Sequence, residues 1–105
     1  MTPAEILRAA KAKIEDPAHW CQGEYAKDAL GQRASEYSDE ACAWCAMGAF
    51  HTIDNGSSYD AFRSLAKAAN EIHQGWGIPN VNDNTDHATV MRMFDRAIEL
   101  AEASQ

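Results

Sequence analysis

The chain has 105 residues, 46% of them hydrophobic, which suits one domain with a real core and leaves no room for two. Nine Lys and Arg stand against sixteen Asp and Glu, for a formal net charge of −7. That balance speaks against nonspecific binding to nucleic acid or anionic lipid, which needs a basic face, and permits binding to a basic protein surface.

The acid is unevenly placed. No Lys or Arg lies between Arg33 and Arg63, while Glu36, Asp39, Glu40, Asp54 and Asp60 all do. The simplest use of Asp39, Glu40 and Asp60 is at helix N-termini, where the macrodipole favours negative charge. The other use is an acidic face. Residues Met1 to Ile14 are amphipathic, with no cleavage site after an apolar stretch, so no secretory leader is expected. The longest apolar run, Ala41 to Phe50, falls far short of the roughly 20 residues that span a bilayer. Three cysteines suit a reducing compartment, so a cytoplasmic protein without bound cofactor is expected.

Taken in chain order, the first helix opens with Thr2 as N-cap, Pro3 at the first helical position and Glu5 completing a capping box. Ile6, Leu7, Ala10 and Ile14 form its inner face, and Asp16-Pro17 ends it. Residues 17–37 read as a long irregular connection, anchored by Trp20 and Tyr25. Ser38 or Asp39 is expected to cap a second helix, apolar on every side from Ala41 to Phe50 and therefore central.

Asp54-Asn55-Gly56 makes a turn, and Ser57-x-x-Asp60 reads as a second capping box. It opens a third helix with Phe62, Leu65, Ala66, Ala69 and Ile72 on one stripe, closed near Gly75. Asn80 to Thr85 reads as a polar loop, and Thr85 as the cap of a fourth helix bearing Val90, Met91, Phe94, Ala97, Ile98 and Ala101. The expected fold is all-α: a compact bundle of about four helices in a single domain over residues 1–105.

Chemical signals are sparse. Cys42-Ala43-Trp44-Cys45 is a C-x-x-C; on a helix its sulfurs share a face, and Cys21 with His19 or His51 would complete a zinc set. A redox role needs a preceding strand and a stabilised thiolate, and neither is read here. Structural cysteine is the preferred reading. The run Asn80 to Asp86 lacks the Gly and Glu of an EF-hand loop, so no metal is expected there. His19, His51, His73 and His87 show no H-E-x-x-H spacing and no obvious nucleophile. Trp20 and Trp76 either plug the edge of the core or serve as interface anchors.

Three segments read together carry a resemblance: Trp20-Cys21-Gln22-Gly23, then Ala43-Trp44-Cys45-Ala46-Met47-Gly48-Ala49, then Asn82-Asp83 with His87-Ala88-x-Val90 and Phe94-Asp95-Arg96-Ala97-Ile98. In that order the chain resembles the DUF6197 family, a small domain of unknown function found in bacteria and phages. The resemblance implies a small helical domain and no established activity. Val81 stands where the family favours an aromatic residue, and Cys42 has no counterpart in its pattern, which weakens the metal and redox readings. Asn82-Asp83 gains weight as a helix cap or a ligand contact.

The leading expectation is a noncatalytic, acidic protein-interaction module. Its sharper form is a phage or mobile-element accessory protein that inhibits a host defence protein by offering acid where nucleic acid would bind. The candidate contact residues are Trp20, Gln22, Trp76, Asn82, Asp83, His87, Glu36, Asp39 and Glu40. The rival is a small enzyme or ligand binder built on Asn82, Asp83 and His87, and the third reading is a cysteine-based metal or thiol protein.

Overall fold

A computed structural model describes residues 1–56 and 58–104. Helix α1 (Pro3–Lys13) starts as its sequence dictates: the Glu5 N–H donates to Thr2 Oγ1 at 3.1 Å, and the Thr2 N–H to Glu5 Oε1 at 2.7 Å. Ala4, Ile6, Leu7, Ala10 and Ile14 are buried along its inner side. Asp16 then caps a single 3-10 turn over Pro17–His19.

The following segment is more organised than its sequence suggests. Strand β1 (Ala26–Lys27) pairs antiparallel with β2 (Ala43–Trp44), and Trp20 forms a parallel bridge to Trp44. The expected helix from residue 38 is therefore replaced, up to residue 44, by a turn and a strand. Helix α2 runs from Ala46 to Asp54, capped by the Cys45 sulfur, which accepts the Gly48 N–H at 3.3 Å. The Cys42 N–H bonds to Lys27 O at 2.8 Å and the Cys45 N–H to Tyr25 O at 3.1 Å, holding this stretch extended. A short apolar run does not distinguish a buried strand from a buried helix, and here long-range pairing decides.

Nor is α2 the central helix. Ala46, Gly48, Ala49 and Phe50 face inward, while Met47, His51, Thr52 and Ile53 are half-buried. The centre belongs to α5 (His87–Ala103), which packs on α1, α3 and α4 and buries Val90, Met93, Phe94, Ala97, Ile98 and Ala101.

Between them, Asn55 takes the left-handed conformation at the turn, and α3 spans Tyr59–Ile72. Its cap is Ser58, whose hydroxyl accepts the Ala61 N–H at 3.1 Å; the expected cap, Ser57, lies outside the described residues. The buried face of α3 is Ala61, Leu65, Ala68 and Ala69, with Phe62 and Ile72 at its exposed margins.

The largest departure is at 78–84. The expected polar loop is a helix, α4 (Ile78–Asn84). Pro79 sits in its first turn, where a missing N–H costs nothing, so it starts the helix rather than blocking it. Ile78, Val81 and Asn82 recur at helical spacing and all three are buried. Asp86, not Thr85, caps α5 by accepting the Thr89 N–H at 2.8 Å. The molecule is thus mostly helical, with five α-helices and one small sheet among the described residues rather than about four helices alone. No helix among those residues is long and apolar enough to cross a membrane.

Candidate functional site

The turn after Pro17–His19 brings Trp20 to Gly23 alongside Trp44 and Cys45, with the Cys21 N–H bonded to Trp44 O at 3.1 Å. Two Trp-Cys dipeptides therefore lie side by side. Helix α4 closes over them and inserts Asn82, which is fully buried.

A side-chain amide has two donors and two acceptor lone pairs. Asn82 uses all four. Its Oδ1 accepts from Trp20 Nε1 at 2.7 Å and from the Ala46 N–H at 2.9 Å. Its Nδ2 donates to Cys21 O and to Asp83 Oδ1, both at 3.0 Å. One side chain thereby joins the Trp20 segment, the first turn of α2 and α4.

The other expected residues of this group complete the junction. Gln22 Nε2 donates to Asn82 O and Thr85 O, each at 3.0 Å, serving carbonyls that the end of α4 leaves open. Asp83 Oδ1 also accepts the Gly23 N–H at 3.0 Å. His87 Nε2 lies 2.8 Å from Ile14 O, which assigns the proton to that nitrogen, since a carbonyl only accepts. Its ring meets Trp20 edge-on at 5.6 Å between centroids. Trp20, Gln22, Asn82, Asp83 and His87 are thus brought together, and the bonds they make run between segments of the chain.

The remaining candidates lie elsewhere. Trp76 stacks on His73, ring centroids 4.0 Å apart, and packs against the margin of the core. Glu36 bonds His51 Nδ1 through Oε2 at 2.8 Å, and its carbonyl accepts Trp44 Nε1 at 3.1 Å. Asp39 and Glu40 are exposed in a turn where the Ser38 hydroxyl accepts the Glu40 N–H at 3.1 Å. They precede a strand, so the expected helix N-terminus for them is absent; Asp60 does lie in the first turn of α3.

The cysteines separate by environment. Cys42 is exposed, whereas Cys21 and Cys45 are buried, and all three are free thiols. Burial, with Cys45 nearby, pushes the Cys21 thiol up to about 11. Burial also raises Cys45, against the pull of the Gly48 and Met47 N–H groups. Because 42 and 45 straddle a strand-to-helix corner, their sulfurs do not share a helix face. Among the described residues no group of three or more His, Cys, Asp or Glu is arranged to hold a metal ion.

Two residues take roles that the sequence reading did not assign them. His51 pairs with Glu36 and lies 5.6 Å from the Tyr25 ring. Gly48 faces the Tyr25 carbonyl so closely that a Cβ there would overlap its oxygen. Neither carries a local pattern, since both follow from the pairing of distant segments. Beside the junction, Gly23, Tyr25, Cys45, Met47 and Asp83 line a cleft of about 240 Å³. Tyr25 and Glu24 also border a second cleft of about 460 Å³ that reaches Arg33 and Glu36.

The conjunction of two Trp-Cys segments and Asn82-Asp83 joins the Trp20 segment, the start of α2 and α4. No curated protein and no solved structure matches the chain. The model of DUF6197, a family of unknown function, matches residues 1–100. The chain belongs to that family.

Proposed function

We propose that the chain is a noncatalytic protein-binding module whose contact surface is the arm of residues 28–42, together with Tyr25 beside it. The observation that carries this reading is exposure: Leu30 is 84% exposed, Tyr37 61% and Tyr25 52%. Large apolar side chains left in water along one short segment are what an interface uses, and tyrosine is enriched at interface hot spots. The arm carries Asp28, Glu36, Asp39 and Glu40 against Arg33 alone.

Asp39 and Glu40 on the arm differ from the paired carboxylates of the helical face. Glu15, Glu71, Asp95, Glu99 and Glu102 all stand in ion pairs on α1, α3 and α5. Asp39 and Glu40 have no such partner among the described residues, so their field reaches outward. A basic protein surface is the complementary partner. The narrowest form of the proposal is a phage-borne or mobile-element protein that covers the nucleic-acid surface of a host defence protein in the cytoplasm; the acid on the arm supports it.

The test is capture of a partner from the native host by wild type and two variants. Leu30→Ala with Tyr37→Ala should abolish retention. Asp39→Asn with Glu40→Gln should weaken it, and so should higher salt. Equal retention by all three proteins, insensitive to salt, would overturn the reading.

The rival reading, a ligand site on Asn82, Asp83 and His87, meets a specific obstacle. Asn82 has no bonding capacity left for a ligand, and His87 Nε2 is held by Ile14 O.

A further inference from the structure

On the side of the molecule formed by α3 and the end of α5, a cleft of about 550 Å³ opens between the two helices, with Pro3 of α1 at its edge. Arg63, Ser64 and Lys67 line it from α3, and Leu100 and Ala101 give it an apolar wall. Arg63 and Lys67 are one turn apart and exposed. Neither makes an ion pair or a side-chain hydrogen bond among the described residues.

Two cations outside any ion pair thus meet over one cleft, in a chain with sixteen acidic residues. Arg8, Lys11 and Arg96 each hold a carboxylate. The obvious structural use for cations here is to serve the carbonyls that end α5. Ser104 already does so, its N–H bonding to Ala101 O and its hydroxyl to Leu100 O. Glu71, one turn beyond Lys67, feels the Lys67 charge but gives its hydrogen bonds to Arg96. Asp60 is the carboxylate that lines the cleft.

We propose that this cleft binds an organic anion with an apolar tail. Arg63, Lys67 and the Ser64 hydroxyl receive the charged head, and the tail lies on Leu100 and Ala101. The planar fork of Arg and the point charge of Lys suit a carboxylate or phosphate head. An apolar wall with a few convergent polar groups is the usual composition of a small-molecule site. Asp60 at the end of the row repels a second negative group, so a single charged head is selected.

The experiment uses the full chain, isotope-labelled, with amide resonances followed during titration by sodium octanoate, octylamine hydrochloride or inorganic phosphate. Octanoate should shift Ser64, Lys67 and Ala101 saturably, and octylamine should not. Phosphate, with no tail, should bind about tenfold or more weaker. Arg63→Gln with Lys67→Gln should weaken octanoate by roughly tenfold or more at unchanged melting temperature. Leu100→Ser should weaken octanoate and leave phosphate alone. Nonsaturating shifts, equal response to octylamine, or indifference to the double variant would overturn the site. Equal binding of phosphate and octanoate would overturn the tailed-anion class. The arm plays no part in this experiment, so its outcome is independent of the protein-binding reading.

Discussion

The Asn82 junction and the 28–42 arm spend their polar and aromatic groups in opposite directions. At the junction every donor and acceptor of a buried amide is matched inside the chain, and Trp20 gives its indole N–H to that amide. On the arm, Leu30 and Tyr37 face water and Asp39 and Glu40 lack counter-ions among the described residues. Trp20, Gln22, Asn82 and Asp83, which carry the resemblance in the sequence, fall on the inward-turned region, while the outward-turned one bears exposed apolar and acidic residues. A motif read from sequence can therefore mark what holds a fold together rather than what the fold acts on.

The sharpest way to break this contrast is Asn82→Ala. Trp20 Nε1, the Ala46 N–H and Cys21 O would all lose their partner in a site that admits little water. Each stranded group costs about 1–3 kcal/mol, so a loss of about 3–5 kcal/mol is expected in urea unfolding. A loss below about 1 kcal/mol would show that the junction is not structural.

Gly48→Ala comes next. A methyl group would strike the Tyr25 carbonyl, which also accepts the Cys45 N–H. Helix propensity favours the change by about 1 kcal/mol, yet forcing backbone apart costs more, so a net loss of about 1–3 kcal/mol is expected. A stabilised variant would mean that α2 and Tyr25 separate easily.

Acid should also tell the regions apart. Hydrogen bonds from Thr2 hold Glu5 below the ordinary carboxylate range, Arg96 does the same for Glu71, and Thr89 for Asp86. A depressed folded-state value contributes stability above the unfolded value and loses it as pH falls through the folded one. Melting temperature should therefore hold from about pH 7 to 5 and decline below about 4.5. Asp39→Asn with Glu40→Gln should leave that profile in place, because neither carboxylate is tied into the fold by an ion pair.

The smallest effect is expected from Leu30→Ala with Tyr37→Ala, within about 0.5 kcal/mol of wild type per substitution. A larger loss would mean that the arm supports the core and is not a free surface.

What was legible in the sequence follows the range of the forces involved. The α1 capping box and the α5 stripe depend on residues three or four apart, and they read correctly except that Met93 is buried where Met91 was expected. Residues 41–44 did not, because their strand is fixed by Tyr25 and Lys27, some 16 to 20 positions away. The segment 78–84 looked like a loop through its Asn and Asp content, yet buried Ile78, Val81 and Asn82 override weak propensity. For the candidate site, the ligand-binding reading rests on Asn82, Asp83 and His87, and the structure brings these together with Trp20 and Gln22. The saturation of Asn82 was not legible, since no spacing reveals how many bonds a side chain will make.

The short sheet has a further consequence. Because Lys27 and Ala43 are paired on adjacent strands, the arm leaves and rejoins the molecule side by side, and Glu36 ties its middle back to His51 and Trp44. The closure cost of such a loop rises by only about 0.6 kcal/mol for each doubling of its length. The exposed parts of the arm on either side of Glu36 can thus be lengthened or shortened at small cost while Glu36 keeps its bonds to His51 and Trp44.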